Sequence, residues 1–143
     1  MCKIVCKTED KFTTIINGYD PEDFEQVKNE TKFDKFTFTY AGQFYLKRNP
    51  ETFLNALSEL ISEKKISKQD VQVRFIGNCK YLYNLSIEQI ASNYSLDDVV
   101  LFIDPLPRDE VYKEMARSHT LLLFASEQPL QIPGKLFEYM GLE

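Results

Sequence analysis

Apolar positions along this chain switch between two periods. Short strand-like runs recur at Phe36–Tyr40 (FTFTY), Val71–Ile76 (VQVRFI), Val99–Ile103 (VVLFI) and Leu121–Phe124 (LLLF), each bounded by turn-forming residues. Between the first two runs, Phe53, Leu54, Leu57, Leu60 and Ile61 form an apolar stripe at helical spacing. Asn49-Pro50 precedes that stripe, which predicts a helix with Asn49 as N-cap and Pro50 in the first helical position. The pattern predicts a second helix over roughly Tyr81 to Tyr94, with Leu82, Leu85, Ile90 and Ala91 on one side. A third is expected around Asp109 to Ser118, burying Val111 and Met115, with Tyr112 a further candidate. A last helix begins near Pro133 and carries Leu136, Phe137 and Met140. Upstream, Phe12–Ile16 closes on the turn dipeptide Asn17-Gly18, and DPEDFEQVKNE reads as a linker or short helix.

Strands alternating with amphipathic helices imply βαβ units, right-handed crossovers and a mostly parallel sheet. The near-continuous apolar runs VVLFI and LLLF fit a sheet covered on both faces. The expected fold class is therefore α/β, a Rossmann-like α/β/α sandwich. Ligands of such sheets bind at the carboxyl ends of the strands. That directs attention to Gly42–Arg48, Gly77-Asn78, Ile103-Asp104 and Ser126–Lys135.

Composition narrows the class without changing the fold. A chain of 143 residues has the length of one domain, and 43% hydrophobic with 27% charged residues excludes disorder, collagen-like repeats and coiled coil. A formal net charge of −5 argues against a general nucleic-acid binder but leaves room for a small basic pocket. Cys2, Cys6 and Cys79 have no disulfide-framework spacing, which fits a reducing compartment. His119 is the single histidine and no C-x-x-C pair occurs, so no metal site is expected. The longest apolar run, Leu121–Ala125, is far short of the about 20 residues that span a bilayer, and MCKIVCKTED lacks the apolar core of a secretory signal. A soluble intracellular domain is expected.

Two loops carry candidate chemistry. In AGQFYLKRNP, Gly42 permits a close turn at a strand end, and Lys47-Arg48 lie just before a helix N-terminus. Two cations at a positive helix end suit a phosphate or diphosphate, although solvated charges fit the same pattern. In EQPLQIPGKLFEYM, Pro133-Gly134 leads into a helix whose first turn holds Lys135. A cation there opposes the helix dipole, and an anionic ligand would explain it. Glu138, one turn on, suits a ribose diol, while an i,i+3 pair with Lys135 is the plain alternative. Gly77-Asn78 fits an ordinary turn better than a ligand site, His119 a packed boundary residue better than a base, and Asp97-Asp98 a turn. No Walker A, G-x-G-x-x-G, G-x-S-x-G or H-E-x-x-H motif occurs.

Taken in order, these segments resemble a known family. INGYDPEDF (Ile16–Phe24) is similar to the segment that enters the C-terminal domain of GT-B glycosyltransferases of the large retaining family 4. YAGQFYLKRNPETFLNAL resembles that domain's first strand, phosphate loop and helix. VRFIGN resembles its second strand and glycine turn, and IPGKLFEYM its nucleotide-sugar motif.

The resemblance implies that residues 1–30 form an interdomain connection and that 31–143 form a nucleotide-sugar-binding domain, cut short at its C-terminal edge. The implied enzyme transfers a sugar from a nucleotide diphosphate sugar to an acceptor in polysaccharide or glycoconjugate synthesis. Matched by position, Arg48 would bind the diphosphate with Lys47 beside it. Lys135, Pro133, Gly134 and Leu136 would lie along the donor phosphates and sugar. Glu138 would take the ribose hydroxyls, and Ile103 and Asp104 the base through their backbone. Gly42, Gln43, Gly77 and Asn78 complete the implied donor site.

Two departures stand out. The first glutamate of the family's E-x7-E motif falls at Leu130, with Glu127 out of register, and Gln43 stands where many members have arginine. No cofactor or metal is implied beyond the donor substrate. The implied partner is a missing N-terminal acceptor domain, without which the domain is expected to be inactive. The implied location is the cytoplasm, with peripheral membrane association of a full enzyme compatible. A non-enzymatic α/β binding or signalling module is the alternative from another class, and a GT-B sugar-nucleotide epimerase the alternative within this one.

Overall fold

The computed structural model of the protein describes residues 13, 15–45, 48–125 and 132–142. A 3-10 helix, Pro21–Val27, comes first, opened by the Asp20 carboxylate, which accepts the Glu22 N–H. Strand β1 (Phe36–Gln43) leads to helix α1 (Glu51–Ser62) and strand β2 (Val71–Asn78). Two short strands, β3 (Tyr81–Leu82) and β4 (Leu85–Ser86), precede helix α2 (Ile87–Asn93). Strand β5 (Val100–Ile103), helix α3 (Arg108–Ala116), strand β6 (Thr120–Leu121) and helix α4 (Gly134–Gly141) follow.

The four longer-range strands form one parallel sheet in the order β5-β2-β1-β6. The chain steps outward from β1 through β2 to β5, then returns across β1 to place β6 on its other side. Such a reversal opens a crevice at the carboxyl ends of the strands beside it. Helices α1 and α2 cover one face over a core that includes Tyr40, Phe44, Leu54, Val73, Phe75 and Leu96. Helix α3 and the 3-10 helix cover the other, where Phe24, Ile76, Tyr112 and Met115 pack. The fold is a Rossmann-like α/β/α arrangement with an all-parallel main sheet.

Three local expectations change. The stretch from Tyr81 does not open a helix: it forms the β3–β4 hairpin, and the helix begins only at Ile87. Ser86 is its N-cap, its hydroxyl accepting the Gln89 N–H at 3.1 Å, and the Ser86-x-x-Gln89 spacing is the signal for that boundary. Leu85, expected on a buried face, is 44% exposed on the hairpin.

At α1 the cap moves by one residue. Pro50 is the N-cap, while Asn49 accepts the Glu51 N–H at 2.9 Å from one position upstream.

The FTFTY strand buries both threonines along with Tyr40, whereas Phe36 is exposed and Phe38 half-buried. Thr37 donates to the Lys35 carbonyl and accepts from Gln72, and Thr39 meets Ser118 at 2.6 Å.

Finally, LLLF pairs with β1 only at its start. Beyond Leu121 the chain leaves the ladder, and Phe124 packs on the α1-side core.

Candidate functional site

Strands β1 and β2 run in register to their carboxyl ends, where Gly42 stands opposite Gly77 and Gln43 opposite Asn78. Both glycines have positive φ, +145° and +105°. A Cβ at Gly77 would collide with the Gly42 carbonyl oxygen, and one at Gly42 with the Lys135 ammonium. Glycine is thus required at Gly77 by the close approach of strand to strand and at Gly42 by its positive φ, with the Lys135 ammonium lying against it. Gly77 is therefore more than the plain turn its neighbourhood suggests.

Lys135 enters from the first turn of α4, on the far side of the crevice from β2. Pro133 is that helix's N-cap and supplies no side-chain hydrogen bond; the Leu136 N–H donates to the Pro133 carbonyl at 3.0 Å, while the Gly134 and Lys135 N–H groups have no partner among the described residues. The Lys135 Nζ lies 5.1 Å from the centroid of the Tyr40 ring. Burial lowers its pKa below the ordinary lysine value, with Glu138 opposing and Arg48 reinforcing the shift. Among the described residues it forms no ion pair.

Arg48 approaches from the other side, its guanidinium stacked 4.3 Å over the Tyr45 ring. Its Nε is buried with no hydrogen-bond partner among the described residues. Tyr40 lies between the two cations. It donates to the Gln43 carbonyl at 2.9 Å, and burial pushes its pKa up to about 12. The Cys79 thiol, pushed up to about 12 by burial, donates to the Gly42 carbonyl at 3.4 Å.

Two cavities open off this seam, sharing Gln43, Gly77 and Asn78 as their common wall. One, of about 430 Å³, holds Gly42, Lys135 and Glu138 and is closed by Leu106, Arg108 and Tyr112. The other, of about 480 Å³, holds Asp104 beneath the β3–β4 hairpin. The expected set is therefore split. Glu138 joins Lys135, while Asp104 faces the second cavity and pairs with Lys80 at 3.2 Å. Ile103 packs against the α3-side core, leaving only its backbone for a ligand. Gly134 and Pro133 sit at the start of α4, and Leu136, 39% exposed, lines neither cavity. Lys47, Glu127 and Leu130 lie outside the described residues.

Three contributors were not singled out from the sequence. Tyr40 reads as an ordinary core aromatic, and Tyr45 as an ordinary loop residue. Arg108 carries a usable signal, because a cation in the first position of α3 opposes the helix dipole just as Lys135 does. Its Nε donates to the Tyr112 hydroxyl at 2.8 Å, and its far end pairs with Asp23.

His119 is exposed at the other end of the sheet, stacked on Phe36, with Nδ1 accepting the Thr37 N–H at 3.1 Å. Among the described residues no group of three or more His, Cys, Asp or Glu comes together. Nor is any helix among them long and apolar enough to cross a membrane. Comparison of the chain with protein-family models and with curated protein sequences finds no match.

Proposed function

We propose that the 430 Å³ cavity binds the diphosphate of a nucleotide sugar, and that the protein is the donor-binding domain of a GT-B glycosyltransferase of the retaining family 4 type. One observation carries the reading: the half-buried Lys135 ammonium presses onto Gly42 in the cavity, and across the Tyr40 ring, outside the cavity lining, Arg48 holds a buried Nε, neither cation having an ion pair among the described residues. Unpaired buried charge is unfavourable in the free protein, and an anion held between the two groups offsets that cost. Arg108 adds a second cation on the cavity wall, and the start of α4 adds the Gly134 and Lys135 N–H groups.

The chemistry follows from this placement. Breaking the anomeric C–O bond of a nucleotide sugar leaves an oxocarbenium-like centre and puts additional negative charge on the departing diphosphate. Arg48 and Lys135, fixed before the reaction, stabilise that charge where it develops. Glu138, on the same wall, accepts hydrogen bonds from the ribose hydroxyls. Gly42 and Gly77 let the phosphates approach the backbone closely. The acceptor, and the domain that holds it, complete the enzyme. A cytoplasmic location, with the full enzyme at the inner membrane face, belongs to the same proposal.

Calorimetric titration with the diphosphates of uridine, guanosine, adenosine and thymidine tests it. One of them is expected to bind, and Arg48→Ala and Lys135→Ala are each expected to weaken it about 10–100-fold, the loss of one charge-assisted contact. Unchanged affinity in both variants would remove the assignment.

A further inference from the structure

The second cavity differs from the first in kind. Its walls carry Tyr45, Tyr81 and Tyr83, which are 40%, 61% and 71% exposed, together with Gln43, Asn78 and Asp104. Three exposed tyrosines, one face of Tyr45 being covered by Arg48, grouped around two amides and a carboxylate are not a gap in a core. The hairpin that presents two of these rings is firmly held: Leu82 is 6% exposed in the α1-side core, and the Ile87 N–H donates to the Lys80 carbonyl at 2.9 Å.

The turn itself carries a cost. Tyr83 has φ +54°, at the first central position of a two-residue hairpin loop, where glycine is the favoured residue for positive φ. A bulky side chain held in that conformation is strained, and here it places a ring at the cavity mouth.

From this we infer that the tyrosine-lined cavity is a carbohydrate subsite, taking one pyranose ring of a saccharide beside the diphosphate site. A sugar ring has a face of C–H bonds bearing partial positive charge, which the negative face of an aromatic ring attracts. Its rim of hydroxyls needs acceptors and paired donor–acceptor groups, which Asp104, Gln43 and Asn78 supply. Asp104 is paired with Lys80 at 3.2 Å on the same wall, and this near-neutral ion pair suits neutral hydroxyls better than a second phosphate. The shared wall of Gln43, Gly77 and Asn78 sets this ring next to the diphosphate, and in that respect the inference rests on the function proposed above.

The pyranose belongs either to a free acceptor saccharide or to the donor, and two arms separate these sources. In the first, saturation-transfer NMR is recorded on the 143-residue chain with maltotriose, cellotriose and chitotriose in the absence of nucleotide. In the second, calorimetry compares the nucleoside diphosphate that binds with its glucose conjugate. Tyr81→Ala combined with Tyr83→Ala, both at exposed positions, is expected to weaken the saccharide or the glucose conjugate about tenfold and to leave the bare nucleoside diphosphate unchanged. Tyr83→Phe, which keeps the ring, is expected to retain binding.

Loss in the first arm identifies the acceptor, and loss in the second the donor sugar. The subsite is overturned if the double variant binds every saccharide and the conjugate as the parent does. It is also overturned if the parent binds none of them, or if the double variant loses the bare nucleoside diphosphate instead. Lys135→Ala separates the two proposals: Lys135 lines only the first cavity, so its loss acts on the nucleotide and leaves the free trisaccharides untouched.

Discussion

The two ends of the β1–β2 pair are made of the same strands and solve opposite problems. At the amino end, backbone groups are tied off: the Phe36 N–H donates to the Asp70 carbonyl at 2.8 Å and the Phe33 N–H to the Arg117 carbonyl at 2.9 Å. The side chains there are large and apolar. Phe36, Phe38, Phe53 and Leu60 line a cavity of about 950 Å³, roughly twice the size of either cavity at the other end, with a mainly apolar wall that also carries Lys64, Lys65, Ser67, Lys68 and Asp70. At the carboxyl end the side chains shrink to two glycines, and one cation, Lys135, presses onto the backbone. The larger space is the more apolar of the two. The smaller one holds Lys135, which forms no ion pair among the described residues.

Gly77→Ala breaks the comparison most severely. The new Cβ meets the Gly42 carbonyl at a residue whose φ of +105° already disfavours any side chain, so the two carboxyl ends must move apart. The expected loss is about 3–4 kcal/mol in urea denaturation, combining positive-φ strain with a steric clash. A loss below about 1 kcal/mol would show that the seam relaxes freely.

Phe38→Ala at the opposite end is expected to cost less, about 1–2 kcal/mol. A fully buried phenylalanine loses about 3–5 kcal/mol on the same change, but Phe38 is half-buried and already borders open space. Its ring contacts, at 5.2 Å to Phe36 and 5.3 Å to Phe53, go with it. Nucleotide affinity should not move. If it fell, the two ends would be coupled through β1, and the contrast drawn above would fail.

How far these differences were legible in the sequence depends on the range of the interaction responsible. The βαβ alternation, and hence the sheet, was visible because periodicity is local and each helix stripe repeats within a few residues. The hairpin at Tyr81–Ser86 was not, because its apolar residues also fit a helical stripe and no glycine marks its turn. Lys135 could be picked out, since its charge conflicts with its own helix. What Lys135 meets could not: Gly42, Tyr40 and Arg48 reach it only through the return of the chain across β1. The split of Asp104 from Glu138 into separate cavities is tertiary in the same sense. Strand ends that adjoin in the sheet need not share one hollow.

The smallest expected effect sharpens the contrast furthest, because it separates stability from binding at one atom. Lys135 has its pKa lowered by burial in the folded chain, whereas in the unfolded chain it titrates at the ordinary lysine value of about 10.4. Between the lowered value and the ordinary one, the unfolded state binds more protons, so this group makes stability rise with pH through that window. Below the window its buried charge is a constant penalty.

Cys79 and Tyr40, both pushed up to about 12, act in the opposite direction from about pH 9 upward, so the total curve mixes signs. The difference between the parent and Lys135→Met isolates the lysine. Lys135→Met is expected to be as stable as the parent or slightly more so at neutral pH, with the margin shrinking as pH rises through the window. At neutral pH it should bind the nucleotide about 10–100-fold more weakly than the parent, as Lys135→Ala does. In the parent, affinity should fall over the same window, because only the ammonium attracts a diphosphate. Urea denaturation and calorimetry across that range read the two effects separately. A methionine variant markedly less stable at neutral pH would mean that the ammonium is already satisfied in the free protein, and the argument for an anion in this cavity would lose its ground.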